Sequence, residues 1–368
     1  MPLVLSLPKD QDDNWFMKNT YACIMAGGSG ERFWPLSRAA TPKHLVALLT
    51  ERTLLEETVR RVEQALPSDH IFILTNAAQI EGCRTVLPHL QPHQFIAEPA
   101  KRDTAPACAL GTALVRNLDP EAVVVFLPAD ALIKDSGTFA EQIRQASEFA
   151  AKHDAIVTLG IRPDHPSTRF GYLEAGDALS ESNAKCPFFE AKRFVEKPDA
   201  ARAETYLKRG YYFWNAGIFL WKTGTFLREA QRSQPELARF IENFPKGNWD
   251  AYLAEQFPTL PKISVDYAIM EKAEHVVVAE ALFDWDDVGS WTALPAHLPA
   301  DAHGNTLQGE VTIHDSHGNI AISKKRLIAL CGVSNLIVIE TDDAILVCHR
   351  DAAEQVKHLQ PNLPDDVR

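Results

Sequence analysis

Apolar residues recur along this chain in two alternating rhythms. Tyr21 to Ala26 is a short apolar run ended by glycines, the pattern of a buried strand. Leu55, Val59, Val62 and Leu66 then share one helical face, and Thr53 with Glu56 forms a capping box, so Thr53 to Leu66 is expected to be a helix. Ile71 to Thr75 reads as a strand and Asp103 to Arg116 as a helix rich in small residues. Ala122 to Leu127 is a β-branched and aromatic strand stopped by Pro128 and Asp130; Thr138 to Lys152 follows as a helix and Ala155 to Gly160 as a strand. Strands separated by helices of roughly 10–15 residues predict an α/β fold with a doubly wound, mixed but mainly parallel sheet.

The rhythm changes after Gly160. Phe170–Glu174, Phe188–Glu196 and Phe213–Trp221 are strand-like with two helices interspersed, and a second layer or lid beside the main sheet is expected. From Pro299 the strands shorten: Glu310–Ile313, Ile320–Ser323, Leu327–Cys331, Leu336–Ile339 and Ala344–Val347, most followed by Gly, Asn or Asp. These predict a small all-β appendage closed by a helix from Asp351. The expected divisions are an irregular extension over 1–20, a main domain over 21–300 and the β domain over 301–368.

Hydrophobic residues make up 46% and charged residues 23% of the 368, which excludes wholesale disorder. Lys and Arg number 37 against 49 Asp and Glu, a net charge of −12, which argues against nucleic acid as a partner but leaves room for a small anion held by local cations. Leu3 to Leu7 is too short, and too closely followed by Asp10, Asp12 and Asp13, for a secretory signal, and no apolar run approaches a membrane span. The six cysteines (Cys23, Cys83, Cys108, Cys186, Cys331 and Cys348) are scattered, which fits reduced thiols in a cytoplasmic protein.

The strongest chemical feature follows the first strand: Ala26-Gly27-Gly28-Ser29-Gly30-Glu31-Arg32-Phe33-Trp34-Pro35-Leu36-Ser37-Arg38, then Thr41-Pro42-Lys43. Three glycines in four positions let backbone N–H groups approach a ligand, and Arg32, Arg38 and Lys43 add cations. The third glycine of a dinucleotide fingerprint and the Gly-Lys-Ser/Thr of a P-loop are both missing. A glycine turn with solvated basic residues competes with an anion site; Arg32 and Lys43 so close to the loop favour the latter. Asp130 lies past the C-terminal end of a strand, where open α/β sheets bind ligands, and a carboxylate there suits Mg²⁺, although a turn cap would use the same residue. Asp287 is a candidate partner, with Asp284 and Asp286 as competitors that spacing leaves open. Tyr211, Tyr212, Phe213, Trp214, Phe219 and Trp221 read as core rather than a stacking platform.

The glycine-rich stretch resembles the signature of sugar-1-phosphate nucleotidylyltransferases, and its Phe-Trp-Pro-Leu-Ser-Arg continuation resembles the mannose-1-phosphate guanylyltransferases among them. Matching stretches follow in order: Glu98-Pro99-Ala100-Lys101-Arg102-Asp103-Thr104-Ala105-Pro106-Ala107, Pro128-Ala129-Asp130, Phe170-Gly171-Tyr172-Leu173-Glu174, Phe194-Val195-Glu196-Lys197-Pro198, Trp214-Asn215-Ala216-Gly217-Ile218-Phe219, Ser264-Val265-Asp266-Tyr267-Ala268-Ile269-Met270-Glu271 and Asp286-Asp287-Val288-Gly289-Ser290-Trp291. The resemblance implies a Rossmann-like nucleotidyltransferase fold with a β-helix-like tail of packing or homodimer role. It implies GTP and mannose 1-phosphate as substrates, GDP-mannose and pyrophosphate as products, and Mg²⁺ on Asp130 and Asp287. Nucleotide contacts fall to Ala26, Gly27, Gly28, Ser29, Gly30, Arg32, Lys43, Glu98, Asp103 and Thr104, and sugar-phosphate contacts to Gly160, Glu174, Lys197, Asn215 and Gly217. Arg32, Lys43, Asp130, Lys197 and Asp287 would carry catalysis.

Two positions depart from the family pattern: Glu31 stands where Thr is common and Asp103 where Asn is common. Glucose 1-phosphate with UTP or dTTP is the alternative substrate pair, and a non-catalytic sugar-nucleotide sensor the alternative class. Longer relatives add a cupin-type isomerase domain; His303, His314, His317, His349 and His358 form no His-x-His metal pattern, so a single activity is expected.

Overall fold

The computed structural model describes residues 18–368, so most of the expected 1–20 extension lies outside the described residues. Among them, nine strands form one sheet: β1 (Thr20–Met25), β2 (Ile71–Asn76), β3 (Phe95–Glu98), β4 (Val123–Pro128), β5 (Ile156–Ile161), β6 (Tyr172–Ala178), β7 (Phe188–Val195), β8 (Tyr212–Lys222) and β9 (Val276–Glu280). Their order is β3-β2-β1-β4-β8-β5-β9-β7-β6. The first four are parallel, and β8 runs antiparallel to both β4 and β5, making the sheet mixed.

The strands after Gly160 do not form the expected second layer or lid. They extend the same sheet because β8 is 11 residues long. Its C-terminal half pairs β4 through Phe219 to Lys222, while Tyr212 to Trp214 at its start pair β6. One strand thereby joins both halves. Tyr212, Phe213, Trp214, Phe219 and Trp221 are buried, as their apolar area demands, whereas Tyr211 is 42% exposed and stacks on Tyr212.

Helices cover both faces. The first, α1 (Leu54–Val62), opens with the expected capping box: Thr53 Oγ1 accepts from the Glu56 amide at 3.2 Å and Glu56 Oε2 accepts from the Thr53 amide at 2.7 Å. On the other face the helix Thr104–Leu118 is buried from Ala105 to Val115. Its small residues let it lie close to the strands. No helix among the described residues is long and apolar enough to cross a membrane. All six cysteines are free, four of them buried.

The C-terminal strands β10 (Thr306–Gln308), β11 (Val311–His314), β12 (Ile320–Ser323), β13 (Ile328–Cys331), β14 (Leu336–Glu340) and β15 (Ile345–His349) are short. Pairs β10/β12, β12/β14 and β11/β13 are parallel, the geometry of stacked β-helix coils, and β15 closes the stack antiparallel. Asn319 Nδ2 donates to Asn305 Oδ1 at 3.0 Å, tying successive coils inside the stack. The expected closing helix is a 3₁₀ helix, Arg350–Asn362, rather than an α-helix. Its buried residues, Ala353 and Val356, are three apart and so fall on one line only at three residues per turn. They enter a core shared with Phe33, Trp34, Trp291, Ile320 and Ile339. The β tail is thus packed directly on the glycine-rich stretch.

Candidate active site

At the C-terminal ends of β1 and β4 lies a cavity of about 470 Å³. Its floor is the glycine-rich loop. Gly30 adopts φ +63, and a Cβ there would lie 2.7 Å from the Lys43 backbone nitrogen, so only glycine lets the loop fold onto Lys43. Ser37 Oγ donates to the Gly30 carbonyl at 2.7 Å, closing the turn. Glu31, the unusual acid, accepts a 2.9 Å hydrogen bond from the Ser29 hydroxyl.

Lys43 is buried at the centre of the site. Its ammonium donates to Asp130 Oδ2 at 2.9 Å, the Asp130 carbonyl at 3.0 Å and the Asp287 carbonyl at 2.6 Å. It thereby joins segments 244 residues apart in sequence. Burial pushes the Asp130 carboxyl up, but the Lys43 charge and hydrogen bond outweigh it and hold the pKa below its ordinary value. The loop carrying Asp130 is clamped from α1: Thr58 donates to the Ala129 carbonyl, and the buried Arg61 guanidinium to the Ala131 and Ile133 carbonyls.

The three competing aspartates are separated by their partners. Asp284 accepts from the Lys134 and Asp135 amides. Asp286 accepts from the Val288 amide and pairs with His297 at 2.7 Å. Only Asp287 of the three lines the cavity, where Arg169 binds its Oδ2 at 2.9 Å. Burial raises the Asp287 pKa, with Asp286 and Asp130 adding repulsion that Arg169 and Lys43 offset.

Opposite this cluster, Asn215 Oδ1 accepts from Thr158 at 3.2 Å and from the Gly217 amide at 3.1 Å, and its Nδ2 donates to Asp266 at 3.0 Å. Gly217, at φ +70, has open space where a Cβ would stand. Asp266 begins a π-helical turn, Asp266–Met270, and burial with the neighbouring Glu196 raises its pKa to about 6.

The remaining candidates divide. Ser29, Gly30, Arg32, Lys43, Asp130, Asn215, Gly217 and Asp287 line the cavity. Ala26, Gly27 and Gly28 lie in the same loop but outside the lining. Lys197 (φ 46) pairs with its neighbour Glu196 at 2.7 Å, and only Glu196 lines the cavity. Glu174 accepts from the Tyr212 hydroxyl at 2.8 Å, away from the lining. Gly160 is required for packing, since a Cβ would lie 2.6 Å from Val278 and 2.8 Å from Phe213. Asp103 caps its helix by accepting from the Thr104 amide, and Thr104 Oγ1 accepts from the Val265 amide. Arg38 leaves the site to pair with Asp343 at 2.7 Å.

Sequence reasoning missed Arg169, Trp285 and Lys357, which also line the cavity. Arg169 directly precedes the matched Phe170-Gly171 stretch, which is the one signal that could have found it. Trp285 likewise directly precedes the matched Asp286-Asp287 stretch, whereas Lys357 stands in no motif.

Glu98, at the end of β3, has its pKa raised to about 7 by burial. A raised folded pKa means stability present at acid pH and lost as pH rises through about 7. Glu98→Gln removes that loss, so it should stabilise the chain at pH 8 by up to about 3 kcal/mol and have little effect at pH 5. Urea unfolding at the two pH values measures this; equal effects at both would exclude a half-buried Glu98 that holds its proton near pH 7.

Residues 21–303 match the model of the nucleotidyl transferase family, and residues 309–363 match that of the MannoseP isomerase/GMP-like beta-helix domain. The mannose-1-phosphate guanylyltransferase of Klebsiella pneumoniae is 36% identical over 91% of this chain and 72% of its own length. The xanthan biosynthesis protein XanB of Xanthomonas campestris is 35% identical over 93% of this chain and 73% of its own. A crystal structure named mannose-1-phosphate geranyltransferase, from Thermus thermophilus, superposes with a TM-score of 0.84 at 35% identity, covering 94% of this chain and 99% of that one.

Proposed function

The chain belongs to the nucleotidyl transferase family, among the mannose-1-phosphate guanylyltransferases, and on that premise we propose that it transfers GMP from GTP to α-D-mannose 1-phosphate. The observation that carries this reading is the convergence of Arg32, Lys43, Arg169, Asp130 and Asp287 on one cavity at the strand ends. An oxygen of the sugar phosphate, already ionised near neutral pH, attacks the α-phosphorus of GTP in line. The new P–O bond forms as the bond to the β-phosphate bridging oxygen breaks, and pyrophosphate leaves with the electron pair. No base or covalent intermediate is needed, so catalysis is positioning and charge stabilisation.

Arg32 and Lys43 are read as steadying the leaving pyrophosphate, with the Ser29 and Gly30 amides along the loop. Lys197, moved from Glu196, would hold the sugar phosphate, and Asn215 and Gly217 would meet the sugar. Glu98, Asp103 and Thr104 are proposed for the guanosine end, Glu174 and Gly160 as support for the sugar side. Asp130 and Asp287 fit a divalent cation such as Mg²⁺: both are hard oxygen donors, and a cation would relieve the repulsion they exert on each other. When bound, it would neutralise charge on phosphate oxygens of both substrates.

We also read the chain as a cytoplasmic protein with domains over 21–300 and 301–368. A homodimer through the β tail is supported by β15, where Ile345 and Val347 are 57% and 60% exposed.

Pyrophosphate release across several NTPs and hexose 1-phosphates, with and without Mg²⁺, tests the reaction. GTP with mannose 1-phosphate and Mg²⁺ should give the highest kcat/KM. Preference for UTP or dTTP with glucose 1-phosphate would replace the substrate assignment, and no release with any pair would point to a sensor.

A further inference from the structure

The C-terminal 3₁₀ helix Arg350–Asn362 brings Lys357 to the cavity and Glu354 to two arginines that line it, and the reaction proposed above uses neither. Glu354 Oε2 lies 2.6 Å from Arg32 Nε, and Glu354 Oε1 lies 3.8 Å from Arg169 Nη1. Both arginines line the cavity, and so does Lys357. Among the described residues Lys357 is assigned to no ion pair, while Arg32, Lys43 and Arg169 all have a carboxylate partner.

The placement is built in. Ala353 and Val356 sit in the core under Phe33 and Trp34, and a spacing of three sets Glu354 and Lys357 side by side on the adjoining line of the helix. The end of the chain is tied to the same loop: Trp34 Nε1 donates to the Val367 carbonyl at 2.8 Å and the Ala39 amide to the Arg368 carbonyl at 3.2 Å.

We propose that this helix is part of the triphosphate site, with Lys357 a further ligand of the pyrophosphate portion and Glu354 a stand-in anion that holds Arg32 and Arg169 until phosphate oxygens displace it. This rests on the reading of the cavity as a GTP site. A carboxylate and a phosphate offer arginine the same fork of acceptor oxygens. The Arg32–Glu354 pair is open to water on both sides, 40% and 46% exposed, so it is weakly held. A phosphate chain carrying several charges can replace it, while its removal in the free protein would leave Arg32 without a carboxylate partner among the described residues.

The test is titration calorimetry on the full chain with inorganic pyrophosphate, Mg²⁺–GTP and GMP, with thermal unfolding of each variant as a check on folding. Lys357→Met should weaken pyrophosphate and GTP by about tenfold, with GMP unmoved and Lys357→Arg restoring most of the affinity. Glu354→Gln should tighten pyrophosphate several-fold, because the competing charge is gone. Unchanged pyrophosphate affinity in Lys357→Met, or an equal loss for GMP, would overturn the role of Lys357. Unchanged or weaker pyrophosphate binding in Glu354→Gln would overturn that of Glu354. If the unaltered chain binds neither pyrophosphate nor GTP, the GTP-site reading itself falls, and this inference with it.

Discussion

Asp130→Asn will lower kcat for pyrophosphate release by at least about a hundredfold while leaving the chain folded. The carboxylate lines the cavity beyond the end of β4, 43% exposed, and is one of the two acids proposed to hold a divalent cation there. Charge stabilisation of phosphate oxygens of this kind supplies several kcal/mol to a transition state, and each 1.4 kcal/mol is about a factor of ten. The amide keeps the side chain's volume and still offers an oxygen to Lys43, whose bonds to the Asp130 and Asp287 carbonyls remain. Thermal unfolding should therefore shift little, and the Mg²⁺ concentration for half-maximal activity should rise. Near-normal turnover in this variant would remove Asp130 from the metal assignment.

Lys43→Met is expected to damage both turnover and stability. The ammonium is only 5% exposed and has three acceptors, so its loss strands the Asp130 carboxylate and two carbonyls together. Breaking a buried pair by removing one partner costs about 3–5 kcal/mol, and the open side of Asp130 places this site near the lower figure. Lys43 holds the Asp130 pKa below 3.8. A depressed carboxylate contributes stability that is present above its unfolded pKa and lost as pH falls through the folded one. The penalty of Lys43→Met should thus be full at pH 7 and shrink below about pH 4. Urea unfolding at both pH values checks it, and an equal penalty at both would show that Lys43 acts through packing rather than charge. Turnover should fall by about a hundredfold or more, as it does when one fixed donor to a developing anion is removed.

Much of this architecture could be read directly from the chain. Periodicity located β1, α1, β4 and the short C-terminal strands because each signal is local: the capping box of Thr53 and Glu56 acts within four residues, and a buried parallel strand is a continuous apolar run. The glycine loop with Arg32 and Lys43 was legible for the same reason. The joining of the post-Gly160 strands to the main sheet was not, since it depends on pairings of β8 with β4, β5 and β6 across long stretches of chain.

The site shows the same division. Residue type, order and the family resemblance marked candidates for holding phosphate, a divalent cation and a sugar. Only the tertiary structure decided which of Asp284, Asp286 and Asp287 faces the cavity, because that turns on the Lys134 amide, His297 and Arg169 as competing partners. It also assigned Gly160 to packing and set Lys357 beside a loop more than three hundred residues earlier in the chain. Backbone preferences and hydrophobic period act between near neighbours and are written in the sequence. Counter-ions, desolvation and close approach arise between segments that meet only on folding, and at this cavity they decide which charges are free to act.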